Sequence, residues 1–374
     1  RSVLVTGVQT CALPIWNFVI YALILAGGKG TRLYPLSRAD QPKQFLKVIN
    51  NKSFLVNTVE RITPLIKKDN IYVVTNRDYV EKIRDELSDV NSENIFTEPA
   101  NKETATCIGL SAIKLLKKDN DAVMVVLPSD HHIDDQKDYL DTLSEAIEIA
   151  NRRRGIVTIG ITPTRPETGY GYIEMGERIA SASQAYKIAR FTEKPNMEVA
   201  KDFLLKGTYL WNSGMFVFRA DVILREIEKY LPKMYKSLMN IYQHLGEDDE
   251  EEVTREEYEN IDGISIDFGV MQRTRKAYVI KGAFRWDDIG SFSALSRYLS
   301  EYRNNKISNN VYIQDCENCS IFGGDKKLII GFGVKDLVVV DAGDVILVMD
   351  KDKDQEIKHL LNDINGNPEF GEFI

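Results

Sequence analysis

The stretch Ala22–Leu46, ALILAGGKGTRLYPLSRADQPKQFL, holds the residues whose types and spacing best suit chemistry. Gly27, Gly28 and Gly30 follow an apolar, strand-like run, so their backbone N–H groups can converge on an anion with no Cβ in the way. Arg32 and Lys43 supply fixed positive charge nearby, and Pro35 and Pro42 stiffen the segment that carries them. A basic, rigid loop of this kind suits a triphosphate, although a tight strand-to-helix turn would use the same glycines. Two known phosphate loops are excluded. A Walker loop needs Gly-Lys-Ser/Thr after a four-residue spacer, whereas Lys29 is followed by Gly30; a dinucleotide fingerprint needs a third small residue where Leu33 stands.

Other chemistry-bearing residues lie further along. Asp130 closes the apolar run AVMVVLPSD, where it could cap a helix or hold Mg²⁺, a hard cation that takes oxygen ligands and bridges phosphates. His131 and His132 follow directly and read as structural, since magnesium does not prefer imidazole. ETGYGYIE, Glu167–Glu174, has the makings of a sugar wrap: glycines for close backbone approach, aromatic faces, and a carboxylate to accept from hydroxyls. Lys194 precedes Pro195, which disfavours helix at the lysine. Trp211 reads as a packing residue.

These residues need a frame. Strands are expected at Ala22–Ala26, Ile71–Thr75, Ala122–Leu127, Ile156–Ile161, Ala185–Thr192 and Gly214–Arg219, with helices near Phe54–Leu65, Tyr79–Leu87, Ala105–Lys117 and Tyr139–Arg152. Such alternation argues for an α/β fold with a doubly wound, mostly parallel sheet, in which ligands sit beyond the carboxyl ends of the strands. From Asp221 to Asn260 the chain reads as helical, and the acidic run GEDDEEEV, Gly246–Val253, as a solvated loop or helix face. After Tyr302, short strand-like pieces at roughly ten-residue spacing predict a small all-β unit. A last helix is expected near Asp354–Ile364.

Composition narrows the class. With 374 residues, 43% of them hydrophobic, the chain can bury a large core. Acidic residues outnumber basic ones, 56 to 48, and no basic stripe with interleaved aromatics appears, so nucleic acid is not an expected partner. No apolar run reaches the roughly 18 residues of a membrane helix. Cys11, Cys107, Cys316 and Cys319 make no disulfide framework and point to a reducing, cytoplasmic setting; the Cys316/Cys319 pair reads as two small residues on a strand and turn rather than a zinc site. The opening RSVLVTGVQTCALPIW forms no signal peptide. Its VTGVQTCALPI resembles a translated sequencing adapter, so residues 1–18 are read as a non-native segment joined near Asn17, ahead of a main domain at 19–302 and a β-rich unit at 303–374.

The glycine loop has company. LAGGKGTRLYPLS with PKQF, LPSDH, RPETGYGYIE, FTEKP, WNSGMFVF, IDFGVMQ and WDDIGSF occur in the order found in sugar-nucleotide pyrophosphorylases, and from Tyr21 to about Asp350 the chain resembles that family, above all its mannose-1-phosphate guanylyltransferases. The resemblance implies a nucleotidyltransferase fold, Rossmann-like and GT-A-like, with a short β-helix-like extension. It implies GTP and mannose 1-phosphate as substrates, Mg²⁺ as cofactor, GDP-mannose and pyrophosphate as products, and a homodimer. Residue by residue, Ala26, Gly27, Gly28, Gly30, Thr31, Arg32 and Lys43 would meet the nucleotide, with Glu98, Asn101 and Thr104 of TEPANKETAT as candidates for the base edge. Gly169, Glu174 and Asn212 would contact mannose, and Lys194 the sugar phosphate. Asp130 and Asp267 would hold the metal, with Arg32, Lys43 and Asp130 the catalytic set. Bifunctional family members carry a further isomerase domain, so a chain ending at Ile374 is expected to act as a transferase alone. The alternatives are another sugar 1-phosphate such as a heptose, another base, or a non-catalytic regulatory subunit; the joint presence of Gly28, Arg32, Lys43, Asp130, Lys194 and Asp267 weighs against the last.

Overall fold

The apolar runs become the spine of one mixed sheet. The computed structural model describes residues 16–28, 30–180, 184–324, 326–365, 367 and 369–373, so Lys29 and nearly all of the opening segment, Cys11 included, lie outside the described residues. Eleven strands come first: β1 (Ile20–Leu25), β2 (Ile71–Asn76), β3 (Ile95–Glu98), β4 (Val123–Pro128), β5 (His132–Ile133), β6 (Ile156–Ile161), β7 (Tyr172–Arg178), β8 (Ala185–Thr192), β9 (Tyr209–Arg219), β10 (Ala277–Lys281) and β11 (Trp286–Asp287). All but β5 and β11 join in the order β3-β2-β1-β4-β9-β6-β10-β8-β7, while β5 and β11 form a separate ribbon. Strands β1–β4, β6, β7 and β10 run one way, and β8 and β9 run the other.

Side chains alternate across each strand, so the sheet needs cover on both faces. Ala22 and Ile24 of β1 face one core with α1 (Phe54–Ile62), α2 (Val80–Glu86), α4 (Gln136–Arg153) and α5 (Met197–Lys206). Tyr21 and Leu23 face the other, with α3 (Glu103–Lys118), α6 (Ala220–Tyr230), α7 (Pro232–His244) and α8 (Glu250–Asn260). Helix starts follow local chemistry: Ser53 accepts from Val56 N at α1, Asn196 from Val199 N at α5, and Pro232 opens α7. Trp16 and Phe18, at the end of the segment expected to be non-native, pack against the first core. The acidic run opens α8 and is tied down: Glu250 pairs with Lys114 at 2.6 Å and Glu251 with Arg77.

Two expectations change. Tyr172–Arg178, where no strand is expected, is β7, paired with β8 and, over Tyr172–Glu174, with β9 as well. β9 starts at Tyr209, five residues before the expected Gly214: polar Asn212 and Ser213 break the apolar run, and the pairing with β6 shifts register between Asn212 and Phe216 yet resumes on either side.

After α9 (Phe292–Leu295) the chain coils through β12 (Ser300–Tyr302), β13 (Asn305–Ile307), β14 (Val311–Gln314), β15 (Ser320–Phe322), β16 (Ile329–Phe332), β17 (Leu337–Asp341) and β18 (Ile346–Asp350), ending on α10 (Ile357–Asn365). β13, β15 and β17 stack in parallel in one sheet and β14 and β16 in another, so successive turns add one strand to each. Cys319 is buried, and its thiol lies near the Glu317 and Val334 carbonyls. This unit shares a core with the glycine-loop segment: Leu33, Tyr34, Leu46 and Phe54 pack with Ile289, Phe292 and Leu295, and with Phe322, Val338, Val340 and Leu361. Phe292 is fully buried at that junction. Phe292→Ala is expected to cost about 3–5 kcal/mol by leaving a cavity there, read as a lowered urea midpoint with an unchanged slope.

Candidate active site

The carboxyl ends of β1, β3 and β4 carry the loop, base-edge and Asp130 candidates that the sequence singles out. Ala26 directly follows β1 with its backbone fully used: its N–H reaches Val74 O at 2.8 Å, and its carbonyl accepts from Gln44 Nε2 and Thr75 Oγ1, each at 3.0 Å. Beyond it, the amides of Gly27, Gly28 and Gly30 donate to no acceptor among the described residues. Gly30 has φ of 63°, and a Cβ there would lie 2.3 Å from the Cβ of Lys43. Only glycine meets both conditions. Ser37 Oγ donates to the Gly30 carbonyl at 2.5 Å, holding the loop from below. Thr31 and Arg32 are exposed.

Lys43 is buried, and its ammonium donates to Asp130 Oδ2 at 2.7 Å and to the Asp288 carbonyl. Burial alone would raise the Asp130 carboxyl, yet Lys43 and neighbouring His131 hold it below the usual carboxylate range. Asp130 caps no helix, since α4 starts six residues later, at Gln136. His131 Nδ1 accepts from Trp286 Nε1 at 3.2 Å, and His132 pairs with Asp134 at 3.0 Å, so both histidines are structural partners.

A cavity of about 220 Å³ opens beside the loop, lined by Gly27, Gly28, Asn76, Glu98, Asn101, Thr104 and Cys107. Glu98, the last residue of β3, accepts from the buried Tyr258 hydroxyl at 3.2 Å and also bonds the Cys107 thiol. Burial nevertheless pushes its carboxyl up to about 7. Thr104 Oγ1 accepts from Ile266 N at 2.9 Å, which ties this cavity to the Asp267 segment.

A second cluster gathers where β7, β8 and β9 meet. Asn212 Nδ2 donates to Asp267 at 2.8 Å while its Oδ1 accepts from Thr158 Oγ1 at 3.0 Å. Burial pushes the Asp267 carboxyl up to about 6. Glu193 lies alongside, 9% exposed at the side chain, with Oε2 unpartnered; burial, then the nearby Asp267, push it up to about 7. Lys194, with φ of 47°, reaches out with its ammonium 3.5 Å from Glu193. Glu174 does not join this group. It sits on β7 two residues from Tyr172, on the face that carries Tyr209, and its carboxylate pairs with the Tyr209 hydroxyl on the opposite side of the sheet from Asn212. Glu193, in the same FTEKP motif as Lys194, is the carboxylate the sequence reading passed over.

A third opening, of about 270 Å³, is lined by Arg32, Arg165, Gly169, Tyr170 and Asp288, and by Lys351, Asp352, Asp354 and Gln355 of the C-terminal unit. Arg32 has no ion-pair partner among the described residues, whereas Arg165 pairs with Glu167 at 3.3 Å and stacks over Trp211, itself buried as expected. Asp130 and Asp267 fit a hard cation in donor chemistry, and the burial of Asp267 leaves its charge under-compensated. They belong to separate hydrogen-bond clusters, and among the described residues no three His, Cys, Asp or Glu side chains converge as a preformed metal cage.

Unspent loop amides, two cations and a cavity of about 220 Å³ lie together at the switch edge of a doubly wound sheet, the place where such sheets take ligands. The chain belongs to the nucleotidyl transferase family, whose model matches residues 21–305, and residues 308–364 match a MannoseP isomerase/GMP-like beta-helix domain. It is 34% identical to a Klebsiella pneumoniae protein named mannose-1-phosphate guanylyltransferase over 93% of this chain and 74% of that protein. A Salmonella montevideo protein of the same name is 37% identical over 92% of this chain and 74% of its own length. A solved structure from Thermus thermophilus, described as a mannose-1-phosphate geranyltransferase, superposes with a TM-score of 0.83 at 32% identity, covering 92% of this chain and 99% of that one.

Gly30→Ala is expected to destabilise the protein by about 1–3 kcal/mol, from the left-handed backbone and the clash with Lys43. Chemical denaturation checks it, with a Ser37→Ala variant reporting the smaller loss of one hydrogen bond.

Proposed function

We propose that the protein transfers GMP from GTP to α-D-mannose 1-phosphate, releasing GDP-mannose and pyrophosphate. What carries this reading is the base-sized cavity that shares Gly27 and Gly28 with the phosphate loop and has Glu98 in its wall. The names of its relatives supply the sugar. A carboxylate suits guanine, whose ring N–H and amino groups both donate, while adenine offers an acceptor at the same ring nitrogen.

The residues divide the work by charge. Arg32 and the amides of Gly27, Gly28, Gly30 and Thr31 neutralise the triphosphate, and Lys43 serves the pyrophosphate side. Lys194 takes the incoming sugar phosphate; Gly169, Asn212 and Glu193 take the sugar, Glu193 replacing Glu174. Asn101 and Thr104 frame the base beside Glu98. An oxygen of the sugar phosphate attacks the α-phosphorus in line, the bond to the bridging oxygen breaks, and pyrophosphate leaves with that electron pair. A phosphomonoester has a second pKa near about 6, so the nucleophile is already dianionic at neutral pH and no general base is required. The demand on the protein is electrostatic: two anions must meet, and charge must be held as it moves onto the leaving group. Asp130 and Asp267 are the residues that would hold Mg²⁺, which when bound would supply further positive charge between the phosphates. The work falls to residues 19–302, with residues 303–374 as a β-rich unit packed against them.

Pyrophosphate release is measured with Mg²⁺, mannose 1-phosphate or glucose 1-phosphate, and ATP, CTP, GTP, UTP or dTTP in turn. Release confined to GTP with mannose 1-phosphate is expected. Release with another pair reassigns base or sugar, and release with none rejects the reading.

Glu98 adds a pH signature. The free carboxyl titrates near about 7 and guanine needs the ionised form, so nucleotide binding must pull that proton off. The KM for GTP is expected to fall as pH rises through about 7 and then level off. Glu98→Gln removes that dependence and raises KM throughout; steady-state kinetics between about pH 6 and pH 9 check both, with the titration of GTP itself common to the two proteins.

A further inference from the structure

We propose that Asp354, from the C-terminal β unit, is a positioning residue for Lys43: by holding the first amides of α9 it fixes the Asp288 carbonyl that the Lys43 ammonium grips. The proposal rests on the reading of Lys43 as part of the phosphate machinery.

Asp354 lies in the short helical turn Lys351–Glu356 and is 5% exposed. Its two oxygens take two successive amides, Phe292 N at 3.0 Å and Ser293 N at 2.9 Å, while Ser291 Oγ accepts from Ala294 N at 3.2 Å. A four-residue helix has no interior, so nearly all of its N–H groups need outside partners. A residue more than sixty positions downstream supplies two of them.

The backbone just before α9 is strained. Ile289, a fully buried β-branched residue, has φ of 45°. Such a conformation persists only where the surroundings over-determine it. Here Asp287 Oδ1 accepts from Ile289 N at 3.0 Å, Asp288 Oδ1 accepts from Gly290 N at 3.1 Å and from the Tyr170 hydroxyl at 2.5 Å, and Asp354 secures the far end. With both ends fixed, the Asp288 carbonyl points at Lys43, which in turn holds Asp130 at 2.7 Å. Asp352, Asp354 and Gln355 also border the cavity that contains Arg32 and Gly169, so the C-terminal unit adjoins the site directly.

The test is a double-mutant cycle on the full chain, with kcat from pyrophosphate release and thermal midpoints measured in parallel. Asp354→Asn is expected to lower kcat by up to about 10²-fold, as a misplaced site group does, with little change in the KM for GTP. In a Lys43→Gln background the same substitution is expected to leave kcat where it is, while the thermal losses still add. Asp354→Glu, which keeps both carboxylate acceptors on a longer arm, runs the same cycle with a smaller loss and carries the test if the Asn variant does not fold. Multiplying kcat losses, or a lowered midpoint with full kcat, would overturn the proposal. Full kcat in Lys43→Gln alone would remove the reading of Lys43 beneath it and take the proposal with it.

Discussion

A lysine ammonium buried beneath a glycine loop must be paired, because an uncompensated interior charge costs several kcal/mol. Lys43 meets that demand with Asp130, from the turn after β4, and with the Asp288 carbonyl. Three segments far apart in sequence are thereby pinned to one atom. The Lys43 side chain also lies against the space that a Cβ on Gly30 would fill, so the same residue that organises the charge sets the path of the loop above it.

Parts of this arrangement are legible in the sequence because they rest on local rules. Ile156–Ile161 and Ala185–Thr192 are apolar or alternating runs bounded by turns, and they fold as β6 and β8 with those ends. The tight path of the glycine loop is legible because glycine clustering after a strand has a steric meaning. What escapes is parity and direction. β7 hides because the Gly-Tyr-Gly-Tyr run leading into it, Gly169–Tyr172, resembles a turn, and without the strand nothing shows that Glu174 faces away from Asn212 while Glu193 faces toward it. Pairing direction is equally hidden: an apolar run does not say that β9 will insert antiparallel between β4 and β6.

The carboxylates divide by what surrounds them. Asp130 has the buried Lys43 ammonium within hydrogen-bond reach and stays ionised, whereas burial outweighs every partner of Glu98, Glu193 and Asp267 and pushes them toward protonation, Glu193 further because Asp267 lies near it. None of this can be read from residue identity. Tyr258 of α8, which bonds Glu98, lies in a stretch notable in sequence only for its acidity. The same helix anchors Glu250 on Lys114, so the acidic run has a structural side as well as a solvated one.

The core shared by the glycine-loop segment and the C-terminal unit bears on how the chain is made. Arg38 and Asp344 are 306 residues apart yet hydrogen-bond at 2.7 Å, and Leu33 packs with Leu361. Chains emerge from the ribosome at about 5–20 residues per second and fold in that order. The glycine loop is thus among the first described segments to be synthesised and among the last to gain its full packing. A ribosome stalled in the middle of the chain would display the sheet's first strands but not a finished floor under Leu33 and Tyr34.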